Sequence, residues 1–353
     1  MSLRDSFELN RINQYLLSKQ HLTGDTCGDD VKQIAADICG LHASSSTTPY
    51  LSIFSRSNAF VKEDLDHCLY KQHSLGKIRC VRKTIYIHPQ EMLPVVYSAT
   101  ASMIQKASIR FMERRGVTMD QFERISDEIL ALLNKHEMTA REIKSAIDTG
   151  LDLSCVLYYM CDLGLLVRGR PVMSWRDKNH TYARFKDYFP GVILERLPEE
   201  QAIKDLVWAY LCAFGPVTLE DIVWWLGIGK QKVQGALSAL DRSIKLTSSQ
   251  SIGGRMGGEG EVRGIHIKDS PGDFLCTQSD LDRLQEFRPP QTQTVNLLPW
   301  LDPYLMGYKQ RHRYLDERYS SCVFDRSGNA TSVIMLDGRV VGIWDFEDAV
   351  PQW

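Results

Sequence analysis

The residues of this chain best suited to metal or redox chemistry are its nine cysteines and nine histidines. Their spacing argues against both uses. The cysteines (Cys27, Cys39, Cys68, Cys80, Cys155, Cys161, Cys212, Cys276 and Cys322) contain no CxxC pair, and their count is odd. Several fall inside apolar helical patterns, where a thiol acts as a small core residue in a reducing compartment. The histidines form no HExxH or HxH cluster, and no four-ligand set with zinc spacing exists, so no metal and no cofactor are expected. The remaining candidates for chemistry are cations. Arg168, Arg170, Arg176, Lys178, Arg184 and Lys186 face one acid, Asp177, in their stretch. Lys77, Arg79, Arg82 and Lys83 stand together with no acid among them, and Lys106, Arg110, Arg114 and Arg115 are opposed only by Glu113. The net charge is −2, which excludes indiscriminate coating of nucleic acid. Three separate basic groups on such a chain favour a basic concave face over three solvated ones.

These groups need elements to position them, and 353 residues imply two to four domains. Apolar residues at 43% and charged residues at 24% describe an ordinary folded chain. No stretch reaches about 18 apolar residues, and the N-terminus meets charge at once. No membrane association is therefore expected, and the location expected is the cytoplasm, in association with the nucleoid.

The clearest pattern repeats. Residues 128–147 read as helix, turn, Thr139 cap and second helix, with Glu142 completing a capping box. A third helix, Leu153 to Leu163, ends at Gly164, and two short strands surround the Gly169-Arg170-Pro171 turn. Downstream the order recurs. A helix spans Gln201 to Phe214, a second runs from the Thr218 cap to Leu226, and a third runs from Lys230 to Arg242. Strand signals follow at Ile244–Thr247 and Glu261–Lys268, and a glycine-rich loop from Gly253 to Gly260 lies between them. That loop is no phosphate cradle, because no Gly-Lys-Ser/Thr follows it, and it reads as a long wing carrying Arg255 and Arg263 towards a groove. A less regular version opens the chain, with helices near Ser6–Lys19, Asp30–Leu41 and Lys62–Lys71 and a strand from Ile78 to Ile87. After Pro289-Pro290, strands are expected at Val295–Leu298, Ser321–Phe324, Ala330–Leu336 and Val340–Trp344, with a hairpin turn at Asp337-Gly338.

The fold class read from this is α+β: tandem winged helix-turn-helix units with a small C-terminal β-barrel-like module. The boundaries are 1–118 (first unit with a connecting helix), 119–197 (second), 198–290 (third, with the long wing) and 291–353 (β module). Tandem helix-turn-helix units with arginines in their wings point to double-stranded DNA as partner. No heptad run suggests a coiled coil, so a monomer is expected.

Three segments carry a resemblance. Arg82-Lys83-Thr84-Ile85-Tyr86-Ile87, the stretch from Ala213-Phe214-Gly215-Pro216 through Trp224-Trp225-Leu226-Gly227, and Leu298-Pro299-Trp300-Leu301-Asp302-Pro303-Tyr304 through Gly307-Tyr308 resemble the AlkZ/YcaQ-like winged-helix DNA glycosylases. The resemblance covers nearly the whole chain. It implies a C-shaped set of winged helices clasping duplex DNA, and a metal-free, monofunctional removal of N-alkylated purines, including bulky adducts and interstrand crosslinks, in base excision repair. Family members place glutamine, an apolar residue, then glutamine or aspartate after a Gly-Leu; here Gly40-Leu41 precedes His42-Ala43-Ser44. The family's Arg-Gly-Thr-x-His strand reads Arg82-Lys83-Thr84-Ile85-Tyr86.

By this alignment His42 and Ser44 are the catalytic candidates. A cationic purine leaves readily, so the protein has to place a water and stabilise an oxocarbenium-like sugar. A neutral imidazole can orient that water or accept its proton, and a serine hydroxyl can hold it. With an ordinary histidine pKa near 6.5, base release would fall at acid pH. Arg82, Thr84, Arg255, Arg263, Lys309 and Arg311 are the DNA-contact candidates. A non-catalytic winged-helix regulator or damage-binding factor is the competing reading, and a scaffold for protein partners is a third.

Overall fold

The computed structural model describes residues 5–147, 149–243 and 261–345, with side chains omitted for 241–243. One order of elements occurs three times: helix, two-residue strand, helix, helix, two-stranded hairpin. In the first unit these are Val31–Asp37, Leu41–His42, Thr48–Phe54, Lys62–Tyr70, Leu75–Arg79 and Ile85–Pro89. In the second they are Met119–Leu132, Met138–Thr139, Ala140–Ala146, Leu153–Asp162, Leu166–Pro171 and His180–Arg184. In the third they are Glu199–Phe214, Val217–Thr218, Leu219–Leu226, Lys230–Ser243, Val262–Ile267 and Phe274–Thr277. Each short strand joins its hairpin as a further antiparallel strand. Threonine capping boxes start helices where the sequence places them, with Thr139 accepting from the Glu142 amide and Thr218 from that of Asp221.

The first unit departs most from expectation. The strand Ser6–Phe7 pairs in parallel with His266–Ile267 of the third unit's sheet, and the helix Leu9–Lys19 follows it there. Lys19 meets Asp280 at 2.8 Å, and Tyr15 donates to the same carboxylate. The sequence grouping puts these residues with the first unit, yet their partners lie some 260 positions away. The unit's own second helix, Thr48–Phe54, begins with Pro49 in its first turn, inside a stretch rich in Ser and Thr that reads as loop. The expected strand Ile78–Ile87 is in fact a hairpin. It reverses at Arg82 and Lys83, whose φ values of 51° and 61° are usual for Gly or Asn, so no turn signal marks it.

Two further expectations change. The third unit's hairpin pairs Val262–Ile267 with Phe274–Thr277, across a turn containing Gly272 at φ 115°. The expected strand Ile244–Thr247, the glycine-rich loop and Arg255 lie outside the described residues. At the C-terminal end, Val295–Leu298, Val333–Leu336 and Arg339–Ile343 form an open three-stranded antiparallel sheet. Among the described residues no closed barrel exists, because Ser320–Val323 folds as a helical turn and Phe324 contributes one isolated bridge to Ala330. The Asp337-Gly338 turn is present, both residues having positive φ.

The helix Leu93–Arg114 ties the units together, packing on Glu199–Phe214 and on Leu153–Asp162. Its burial helps create one core that takes Ile78, Cys80 and Tyr86 from the first unit, Phe214 and Trp225 from the third, and Tyr304 and Tyr308 from the C-terminal module. The second unit keeps a core of its own, around Ile129, Ile143 and Met160. Buried ion pairs close the seams. Arg56 and Asp302, both fully buried, meet through two 2.8 Å contacts, and Ser52 donates to the same carboxylate. Arg79 and Asp162 meet at 2.7 Å, with the Ser108 hydroxyl bridging them.

Candidate functional site: a junction of three elements

His42 ends the short strand Leu41–His42 and pairs with Tyr86 across the sheet, its ring lying edge-on to the Tyr86 ring at 5.0 Å. Only 2% of the residue is exposed. Burial, with a smaller contribution from the nearby Arg82 charge, pushes the His42 pKa down to about 3. The imidazole is therefore neutral at every pH at which the protein would work. The Ser44 amide donates to His42 Nδ1 at 3.4 Å, which leaves the hydrogen of the neutral ring on Nε2. His42 thus offers an N–H donor, and a pKa so far below working pH makes it a poor general base. Ser44 is exposed, and its Oγ accepts the Ile85 amide hydrogen at 3.3 Å. Its hydroxyl hydrogen and second lone pair are left for a water.

Beside this pair stands the tight reversal of the first hairpin. Thr84 closes it, its hydroxyl donating to the Val81 carbonyl at 2.9 Å, and Arg82 projects from it, half-buried. The Arg82 guanidinium lies 3.9 Å from the Trp224 ring centroid, on the third unit's second helix. Arg311 approaches the same ring at 5.8 Å and the Phe324 ring at 3.4 Å. Desolvation lowers the pKa of both arginines, and the Arg311 charge lowers that of Arg82 further, while Asp325 partly offsets the shift of Arg311. Lys309 is exposed next to them, with Glu220 at 3.8 Å. The segment carrying Lys309 and Arg311 is pinned by Asp221, whose Oδ1 accepts the Lys309 and Gln310 amides at 2.8 and 2.9 Å. The other oxygen of Asp221 serves the Thr218 capping box.

The structure therefore gathers His42, Ser44, Arg82, Thr84, Lys309 and Arg311, although 269 positions separate the first from the last. Arg263 stands apart. On strand Val262–Ile267 it pairs with Glu261 at 2.6 Å and donates to Gln278. Sequence reasoning passed over Trp224, Gly227 and Asp221 as site residues. The adjacent Trp224-Trp225 pair was the available signal, since the buried Trp225 fills the core and its half-buried neighbour must face elsewhere. Next to the junction, a cleft of about 550 Å³ opens between Met103 and Lys106 on one side and Gly227–Lys230 on the other. Among the described residues, no three His, Cys, Asp or Glu side chains are grouped to hold a metal ion, and no helix is long and apolar enough to cross a membrane.

An α+β chain of repeated helix–hairpin units, with a neutral imidazole, an exposed hydroxyl and two ring-contacting arginines at one junction, fits a protein that works on a phosphate-bearing polymer. Comparison with known proteins gives the family. Residues 35–350 match the family described as DNA glycosylase AlkZ-like, and the chain belongs to that family. It is 23% identical over 332 residues to a Streptomyces sahachiroi protein named interstrand DNA cross-link repair glycosylase, covering 89% of this chain and 82% of that one. The solved Streptomyces sahachiroi DNA glycosylase AlkZ superposes with a TM-score of 0.76 at 19% identity, over 97% of this chain and 89% of the other. At that identity the likeness establishes the fold.

Proposed function

We propose that this protein is a monofunctional DNA glycosylase that hydrolyses the N-glycosidic bond of alkylated, cationic purines in duplex DNA, bulky adducts and interstrand crosslinks included. The three repeated units are read as winged helices that grip the duplex, and the division at 118, 197 and 290 as the limits of the units and the C-terminal module. Carrying this reading is the placement, in an AlkZ-like chain, of His42 and Ser44 beside Arg82 and Arg311.

The chemistry asks little of an acid. When the C–N bond breaks, its electron pair neutralises the purine cation, and a positive charge develops on the sugar. A charged imidazole would oppose that charge, and burial keeps His42 neutral. Its Nε2–H donates to an incoming group while Ser44 holds the water that adds to the sugar carbon. The released proton leaves through the exposed Ser44 side. In this arrangement His42 orients, and the acid loss expected for a histidine base near pH 6.5 is displaced downward.

The test is base release from duplexes carrying one methylated purine or one nitrogen-mustard crosslink, with alkali used to reveal abasic sites. His42→Ala and Ser44→Ala should each lose on the order of 10²-fold in rate while still binding duplex, the range for a group acting on the reacting water. Between pH 5.5 and 8 the wild-type rate should stay flat. Tight binding without base release would leave the regulator reading standing, and a rate falling with a midpoint near 6.5 would overturn the neutral His42.

A further inference from the structure

We infer that Trp224 is a positioning residue: its indole face, with Gly227 beside it, holds the Arg82 guanidinium so that its N–H donors are free to grip one phosphate of the strand being hydrolysed. The inference rests on the glycosylase reading and adds to it a residue that touches neither water nor sugar.

Among the described residues, the Arg82 guanidinium has no hydrogen bond and no ion pair; its one contact of either polar or cation–π kind is the Trp224 ring at 3.9 Å. The more deeply buried arginines do otherwise. Arg56 is bidentate on Asp302, Arg79 meets Asp162, and Arg313 donates to the Pro216 carbonyl. A stacked guanidinium keeps its planar fork of donors in its own plane, which suits the two-point capture of a phosphate. The face of a ring neutralises nothing, so the charge of Arg82 on Trp224 awaits an anion, whereas Arg311 also donates to the Gly328 carbonyl at 2.9 Å.

The backbone agrees. Arg82 and Lys83 both sit in left-handed conformation without being glycine, a conformation that persists only where the surroundings impose it. The third unit supplies such surroundings. Gly227 ends the helix Leu219–Leu226 at φ 70°, and a Cβ there would stand 3.2 Å from both the Cα and the N of Arg82. One turn of one helix thus sets the side chain through Trp224 and the main chain through Gly227, while His42 and Ser44 lie on the unit that Arg82 itself belongs to.

The experiment follows duplex affinity and base release against salt for the full-length wild type, Arg82→Ala, Trp224→Ala, Trp224→Phe and the double alanine variant. Trp224→Ala removes no charge, yet it should lower the slope of log Kd against log salt by about 0.9, one phosphate contact, as Arg82→Ala does. Each should lose roughly 10- to 100-fold in kcat/KM, the range for a hydrogen-bonded charge. The double variant should be no worse than Arg82→Ala within about twofold, and Trp224→Phe, which keeps a ring, should recover most of the activity. If Trp224→Ala does not fold, Gly227→Ala, which displaces the Arg82 main chain, should show the same slope loss. An unchanged slope in Trp224→Ala or in Arg82→Ala, or losses that multiply in the double variant, would overturn the inference while the active wild type upholds the enzyme. A wild type that releases no base would remove the glycosylase reading, and this inference with it.

Discussion

Arg56, Arg79 and Lys19, at the seams between elements, face carboxylates, whereas Arg82 and Arg311, at the junction around His42, face rings. Arg56, Arg79 and Lys19 each end on an aspartate that is itself buried, and each pair spans elements distant in sequence. Arg82 and Arg311 end on Trp224 and Phe324. The first arrangement neutralises charge within the protein and fixes how the units sit. The second leaves charge to be neutralised by something else. Among these five cations the partner, a carboxylate or a ring, separates the seams from the junction.

The largest expected effect breaks a seam. Asp302→Ala leaves the Arg56 guanidinium fully buried without its counter-ion, which should cost about 3–5 kcal/mol and lower the melting temperature by on the order of 10 °C. Arg82→Ala should leave melting nearly unchanged while activity falls. Equal melting shifts in the two variants would erase the distinction between seam and junction.

Acid exposes a second difference. Burial holds both His42 and His88 down at about 3, so below the ordinary value of 6.5 the unfolded chain binds more protons than the folded one. Stability is therefore lost as pH falls from 6.5 towards 3, at up to about 1.4 kcal/mol per pH unit for each histidine. Between pH 6.5 and 5 that amounts to about 1.6 kcal/mol apiece, and His42→Gln should remove the His42 share. Melting curves across this range check the sign, and a stability that rose on acidification would show that the two rings are charged in the fold.

The smallest effect concerns Arg263. Its charge is already matched by Glu261 on the surface, so Arg263→Ala should change duplex affinity by no more than about twofold. A loss as large as that of Arg82→Ala would show that the Glu261 pair opens for DNA and that the wing strand belongs to the same binding surface.

Most of the local structure was legible. Thr139 and Thr218 mark helix starts because the cap and its third-position acid each accept the other's amide, which is a matter of a few adjacent residues. Asp337-Gly338 marks its hairpin for the same reason. The reversal at Arg82-Lys83 was illegible, since both residues take positive φ without being Gly or Asn, and their close neighbour Gly227 comes from the third unit. The placement of Ser6–Phe7 was equally hidden, because strand pairing depends on which edge is free and nothing within the strand names its partner.

The same boundary runs through the site. By its pattern and its resemblance to a family, the sequence determined the repeated helix–hairpin order, the alignment that singles out His42 and Ser44, and the candidacy of Arg82 and Arg311. Those depend on residue type and spacing along the chain. Only the tertiary structure decided that His42 is neutral, that Arg82 has a ring and no carboxylate, that Asp221 pins the segment bearing Lys309, and that Arg263 is matched on the surface. Each of these is a matter of what lies within a few ångströms from another part of the chain, and burial and Coulomb interaction act over that distance whatever the separation in sequence.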